Sequence, residues 1–287
     1  MTEKVFLNDK LVDVEQASIS VTDSGFLYGA GLFETMRACA GTVFCLENHL
    51  DRLFLSAAGL ALAPPYDKAY VRDAIYQVLA ANELADARLR LTLSGGPMMA
   101  PAEQQKPTLL ITATPWQPYP PEHYQRGVTV ILCPYHQNTA EPTCGHKTLS
   151  YFSRLLALGL AQRNQAAEAL WFTTDKRLAE ACVSNVFLVK DAALCTPPLD
   201  TPVLPGIARR TVCRITEQES IELIEKDLYI ADVLDADEIF LTNVVMEVLP
   251  VTRVEKHTVG DGKVGPIVGQ LREKFVQAIE QECRRKP

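Results

Sequence analysis

The run PWQPYPP places prolines at 115, 118, 120 and 121, and it restricts the fold more than any other stretch of the sequence. Each proline fixes its φ and gives up an amide hydrogen, so neither a helix interior nor a paired central strand continues through such a run. The chain is therefore expected to form two units, a small one over 1–115 and a larger one over 127–287, with a linker at 116–126. A length of 287 residues fits that division, being long for one core and short for three.

Lys and Arg number 28 against 35 Asp and Glu, a net charge of 28 − 35 = −7, and the longest basic runs are Arg209-Arg210 and Arg284-Arg285-Lys286. Without a clustered basic face the chain lacks the electrostatic footprint of a nucleic-acid binder. Eight cysteines are scattered with no CxxC pair, several inside apolar runs such as Val130-Ile131-Leu132-Cys133, which reads as reduced, core-filling cysteine. No run approaches the ~18 apolar residues of a spanning helix, and MTEKVFLNDKLVD at the start carries acids rather than a signal core. No membrane partner and a cytoplasmic location are expected.

In the first unit, apolar runs at 4–7 and 11–14 flank Asn8-Asp9 as a hairpin. Gly25, Gly29 and Gly31 then interrupt what would otherwise be a strand, and they serve either ordinary turns or a close approach of backbone to a bound group. Residues 33–37 and 42–46 flank Ala40-Gly41 as a second hairpin, and Asn48 is expected to cap a helix with Leu50, Leu53, Phe54, Ala57 and Leu60 inward. Arg52 lies off that face and reads either as a solvated arginine or as a bidentate phosphate clamp. Asp67 opens another helix with Val71, Ala74, Ile75, Val78 and Leu79 on one face. Leu89, Leu91 and Leu93 alternate with Arg88, Arg90 and Thr92 in a half-buried strand that runs into Ser94-Gly95-Gly96-Pro97 and a polar loop to Lys106. Arg90 is either an edge arginine in water or a contact for a substrate carboxylate. An apolar strand at 108–114 closes the unit.

The second unit begins with a strand at 128–133, and a loop holding Pro142 and Gly145 delivers His146-Lys147 to a helix start. That helix is expected to turn Leu149, Phe152, Leu155, Leu156 and Leu160 inward. The positive end of a helix dipole, and any burial, would lower the pKa of Lys147 towards the neutral amine. Strands at 168–174 and 178–182 meet about the turn at 174–177, with a third strand at 186–189. Glu180 falls amid Leu178, Ala179, Ala181, Cys182 and Val183, where an acid either alternates out to solvent or lies buried against a cation. Leu204-Pro205-Gly206-Ile207-Ala208 turns into a helix whose first amides are anion donors. A helix near 230–236, a strand at 238–242, an Asn243-led loop to Pro250 and an amphipathic helix through Val268, Leu271, Phe275 and Ile279 complete the chain. Thr242 and Asn243 are either plain turn residues or further donors.

Lys147, Glu180 and the amides of 206–208 are the three groups that pyridoxal phosphate needs. An amine holds the aldehyde as a Schiff base, an anion faces the ring nitrogen, and amide donors take the phosphate.

Six motifs then resemble, in order, those of the fold-type IV pyridoxal phosphate enzymes, the group of branched-chain aminotransferases, D-amino-acid aminotransferases and aminodeoxychorismate lyases. They are Asp23-x-Gly25-x-x-Tyr28-Gly29-x-Gly31-x-Phe33-Glu34, His49-x-x-Arg52-Leu53, Lys147-x-Leu149-Ser150-Tyr151, Glu180-x-x-x-Ser184-Asn185-Val186-Phe187, Leu204-x-Gly206-Ile207 and Glu247-Val248-x-Pro250-Val251. The resemblance covers nearly the whole chain. It implies a mixed α+β or α/β fold of two domains, a small α/β domain and a larger one with a barrel-like sheet and flanking helices, assembled as a homodimer. It also implies that Lys147 carries the Schiff base and moves the proton, that Glu180 pairs with the ring nitrogen, and that Leu204 packs on the ring. Arg52, Ile207 and Ala208 would hold the phosphate, with Asn185, Gly206, Thr242, Asn243 and Val244 completing the cofactor lining. Phe33, Arg90 and Tyr28 would face the substrate. No metal is implied.

Within that group, Phe33-Glu34, the 247–250 segment and Gly262-Lys263-Val264-Gly265 look like the aminotransferases. Thr242-Asn243 looks more like the lyases, and Val244 stands where many aminotransferases have a phosphate-binding threonine. Leu93 falls where D-amino-acid aminotransferases place an arginine, and Arg90 on the same strand is similar to the arginine of the branched-chain enzymes. The expected activity is transfer of an amino group between an amino acid or amine and a 2-oxo acid, with aminodeoxychorismate lyase as the alternative. A silent binding protein on the same fold is disfavoured, because it has no physical reason to keep a buried acid together with Lys147.

Overall fold

The computed structural model describes residues 2–62, 64–98 and 106–284, so the polar loop expected between Pro97 and Lys106 and the end of the Arg284-Arg285-Lys286 cluster lie outside the described residues. The chain forms two compact units, one of Met1–Gln117, His146–Tyr151 and Ile279–Pro287, the other of Pro118–Gly145 and Phe152–Ala278. The segment that carries Lys147 thus belongs with the first unit.

In the first unit, β1 (Lys4–Leu7) and β2 (Lys10–Asp13) form the expected hairpin. The short α1 (Ser24–Tyr28) follows, capped by the Asp23 carboxylate through the amides of Gly25 and Phe26. Next come β3 (Gly31–Cys39), β4 (Thr42–Val43), α2 (Leu46–Gly59), α3 (Lys68–Ala81), β5 (Ala87–Ser94) and β6 (Leu109–Pro115). The strands make one antiparallel sheet in the order β2-β1-β6-β5-β3-β4. Leu89, Leu91 and Leu93 of β5 join Leu50, Leu53 and Ala57 of α2 and Val71, Ile75 and Val78 of α3 in one core, as the periods of 2 and 3.6 require. Asp67 caps α3 through the Tyr70 amide. Asn48 does not cap α2: the helix starts two residues earlier, after a Cys45 in the left-handed region whose amide is held by Glu282. A cap supplied from residue 282 leaves no local sign.

The second unit holds α4 (Pro121–Arg126), β7 (Val128–Gln137), α5 (Phe152–Arg163), β8 (Glu168–Thr173), β9 (Leu178–Ala181), β10 (Asn185–Lys190) and β11 (Ala193–Thr196). It continues with α6 (Ile207–Gln218), β12 (Leu223–Glu225), α7 (Ile230–Leu234), β13 (Glu238–Asn243), β14 (Glu247–Val254), β15 (His257–Thr258) and α8 (Pro266–Arg284), whose last turns from Ile279 count with the first unit. Among the described residues the strands form a nine-stranded mixed sheet, β12-β11-β10-β13-β14-β7-β8-β9, with β15 paired to β14. The sheet curls as a half barrel, and the tight link between Ala181 and Ser184 brings β9 against β10.

Two expectations fail here. The stretch from Asn243 is not a loop to Pro250. The Asn243 carboxamide oxygen accepts from the Val245 and Met246 amides, both at 2.8 Å, closing a turn that returns the chain at once into β14. In α5 the buried residues are Ala157 and Ala161, while Phe152, Leu155 and Leu156 are 72, 55 and 44 % exposed. The helix is apolar nearly all round, so periodicity cannot choose a face, and its small residues allow the close approach to β7 and β8.

Candidate active site

Lys147 is not at a helix start. It lies five residues ahead of α5 on an extended segment that runs along β3, where the Phe33 amide donates to the Lys147 carbonyl and the Leu149 amide to the Gly31 carbonyl, both at 2.9 Å. The dipole argument for its amine therefore does not apply. Gly31 makes the approach possible, since a methyl there would sit 2.6 Å from the Leu93 carbonyl oxygen and 2.7 Å from Leu149 Cδ1. The Lys147 Nζ lies 4.5 Å from the centroid of the Phe33 ring and 5.9 Å from that of Tyr151. The two rings meet edge to face at 5.2 Å, and the Arg90 guanidinium carbon stands 3.5 Å from the Phe33 centroid. Burial and the neighbouring Arg88 push the Arg90 guanidinium down to about 10, against the pull of Tyr151 and Glu34. Tyr28, at the end of α1, is 68 % exposed.

Arg52 is not the solvated arginine that its position suggested. It is 9 % exposed, and its Nε and terminal nitrogen clasp both oxygens of Glu34 at 2.8 and 2.5 Å. His49 Nδ1 stands 2.7 Å from Glu34 Oε2. Burial tends to raise the Glu34 carboxyl, but Arg52 and His49 outweigh it and hold it at about 2. Facing an ionised oxygen, His49 Nδ1 carries the proton. Burial, chiefly, keeps the imidazole below its ordinary value. Its Nε2 is buried with no partner among the described residues.

In the second unit Glu180 is 9 % exposed and fixed at both oxygens. Oε1 accepts from Arg154 of α5 at 2.7 Å and Oε2 from the Leu204 amide at 3.0 Å. Asn185 donates to the Leu204 carbonyl at 2.9 Å, so Glu180, Leu204 and Asn185 form one connected group. Gly206 begins α6 with no side-chain cap, leaving the Ile207 and Ala208 amides as helix-start donors. Thr242 pairs in register with Asn185, but its hydroxyl donates to the Glu247 carbonyl. The Asn243 amide nitrogen donates to Val183 O, and Val244 is buried beside that turn. The side chains of 242 and 243 thus build the turn, which leaves backbone as what they present.

Arg154 was missed by sequence reasoning. The available signal was an arginine, seven residues past Lys147, directly ahead of the apolar run at 155–161. The Glu34–His49 contact was missed as well, being a tertiary pair with no shared motif spacing.

Each unit by itself holds groups of the kinds that pyridoxal phosphate needs. In one unit there is an amine, a phosphate-binding type of side chain in Arg52 and an unpartnered buried imidazole nitrogen. In the other there is a buried carboxylate locked in orientation and an uncapped helix start. Among the described residues no cluster of side chains could hold a metal ion.

The family described as amino-transferase class IV matches residues 31–254. A protein of Methanocaldococcus jannaschii, provisionally named a branched-chain-amino-acid aminotransferase, is 35 % identical over 275 residues, covering 95 % of each chain. The D-alanine aminotransferase of Listeria monocytogenes is 30 % identical over 285 residues, covering 98 % of this chain and 97 % of its own. Among solved structures, the Escherichia coli branched-chain amino acid aminotransferase superposes with a TM-score of 0.92 at 26 % identity, covering 100 % of this chain and 97 % of its own. With this match over nearly its whole length, the chain belongs to the class IV aminotransferases.

Proposed function

We propose that this class IV aminotransferase is pyridoxal phosphate-dependent and moves an amino group between an amino acid or amine and a 2-oxo acid. The observation that carries the reading is that the Lys147 amine and the Arg90 guanidinium stand over one aromatic ring, that of Phe33. An amine for the carbonyl chemistry and a cation for a carboxylate then share a wall. A branched-chain amino acid aminotransferase of similar structure, crystallised with pyridoxamine 5'-phosphate, supports the cofactor.

When bound, the cofactor supplies an aldehyde for the amino group and a ring that accepts electrons. Lys147 is proposed to bind the aldehyde and to move the proton at the substrate's Cα. Glu180 would hold the ring nitrogen, Leu204 would pack on the ring, and Arg52 with the Ile207 and Ala208 amides would bind the phosphate. Asn185 and Gly206 fix the Leu204 segment, and Thr242, Asn243 and Val244 shape the lining from their turn. Arg90 would orient a substrate carboxylate, since an anion restores what burial takes from its charged form, with Phe33 and Tyr28 bounding the substrate.

Assembly as a homodimer is supported by the exposed apolar face of α5, at Phe152, Leu155 and Leu156, which a second copy would cover. A reducing, cytoplasmic setting is supported by eight cysteines, none of them in a disulfide. A solved relative provisionally named 4-amino-4-deoxychorismate lyase, from Legionella pneumophila, superposes with a TM-score of 0.83 at 25 % identity, and keeps that lyase as the second reading.

The test is to load the protein with pyridoxal phosphate and offer D- and L-amino acids with 2-oxoglutarate or pyruvate, and aminodeoxychorismate separately. Conversion of an amino acid to its 2-oxo acid is expected. Release of 4-aminobenzoate with no transfer from any amino acid would replace this reading with the lyase.

A further inference from the structure

We propose that Arg154 sets the proton affinity of the cofactor's ring nitrogen by sharing the Glu180 carboxylate with it, an inference that rests on the cofactor reading above. Arg154 is a positioning residue acting through Glu180.

A carboxylate with no cation beside it strongly favours a protonated ring nitrogen. With a guanidinium nitrogen at 2.7 Å, the Arg154–Glu180 pair carries no net charge, and the electrostatic gain from protonating the ring nitrogen shrinks. Both side chains are largely shielded from water, at 15 and 12 % side-chain exposure, so the effect is weakly screened. The guanidinium cannot drift away. It donates to the Ala181 carbonyl at 3.0 Å and to Gln137 Oε1 at 2.8 Å, and it lies 4.4 Å from the centroid of the Trp171 ring. Gln137 is in turn anchored to the Pro202 carbonyl. Three strands, β7, β8 and β9, thus converge on one arginine whose effect is delivered to one carboxylate.

The other ionisable groups around the pair do not supply this charge. The thiols of Cys133, Cys144 and Cys182 are pushed up by burial and stay neutral. Glu168, the other acid within reach of the Arg154 charge, is raised by burial to about 7. Lowering the proton affinity of the ring nitrogen makes the ring a weaker electron sink, so Arg154 would tune how readily carbanionic charge is stored there.

The experiment follows the ¹⁵N chemical shift of ring-labelled pyridoxal phosphate bound to the wild type, Arg154→Gln and Arg154→Lys across pH. This probe reads protonation at the ring nitrogen itself. The expected result is a protonation midpoint about one pH unit or more higher in Arg154→Gln, the usual size of a charge effect at this range, with Arg154→Lys close to the wild type. Equal midpoints in all three, or the same shift in both variants, would overturn the proposal. If Arg154→Gln takes up no cofactor, a wild-type midpoint in Arg154→Lys supports it and a shifted one overturns it. Loss of folding in both variants would overturn it in favour of a structural role. A wild type that binds no cofactor would instead sink the reading beneath it, a distinguishable failure.

Discussion

Two buried carboxylates show how much one neighbouring cation decides. Glu34 and Glu168 are each 1 % exposed, yet one is held at about 2 and the other raised to about 7. Burial raises both. Glu34 has Arg52 in direct bidentate contact, whereas Glu168 has the Val183 amide at 2.9 Å, the Ser184 hydroxyl at 2.7 Å, neighbouring backbone and the weaker pull of the Arg154 charge to offset its desolvation. The linkage has opposite signs. Glu34, depressed below its ordinary 4.5, contributes stability that is present above 4.5 and lost as pH falls to about 2. Glu168 binds its proton more tightly folded than unfolded, so the wild type loses stability as pH rises from 4.5 through about 7. Urea unfolding of the wild type against Glu168→Gln across that window should show the difference moving by up to about 3 kcal/mol against the wild type as pH rises. A difference independent of pH would mean that the hydrogen bonds fully compensate the burial.

At the scale of elements, the start of α6 depends on the contact between Gly206 and Asn185. Gly206 has φ −66°, so alanine meets no backbone strain there. Its methyl would nevertheless lie 2.0 Å from Asn185 Oδ1, displacing the side chain that holds the Leu204 carbonyl. Gly206→Ala should cost roughly 1–3 kcal/mol, as overpacking in a dense site does. It should also reduce the rise in melting temperature on adding pyridoxal phosphate, read by thermal unfolding with and without it; an unchanged rise would show that the Leu204 segment does not serve the cofactor. The same scale shows what the sequence makes legible. The helix after Asp67 is readable because its cap and apolar stripe are local, and β5 because its alternation is strict. The setting of Lys147 is not, because it depends on pairing with a strand more than a hundred residues away. The orientation of α5 is not, because leucines on every side hide the alanines that pack.

Across the whole molecule, the residue types for the proposed chemistry can be singled out in the sequence, while their local partners cannot. Lys147, Glu180 and Gly206 could be singled out by residue type and order, since an amine, an anion and a helix start each leave a mark in one dimension. That Arg154 grips Glu180, or that His49 and Arg52 share Glu34, follows only from folding. No helix among the described residues is long and apolar enough to cross a membrane, and the family match runs through both units. The central claim is that one particular amine carries the cofactor. Protein loaded with pyridoxal phosphate, reduced with borohydride to fix the imine as a secondary amine, then digested and sequenced by mass spectrometry, tests it directly. The account predicts a pyridoxyl group on Lys147 and on no other lysine; a label elsewhere, or no label on protein shown to be folded, would contradict it.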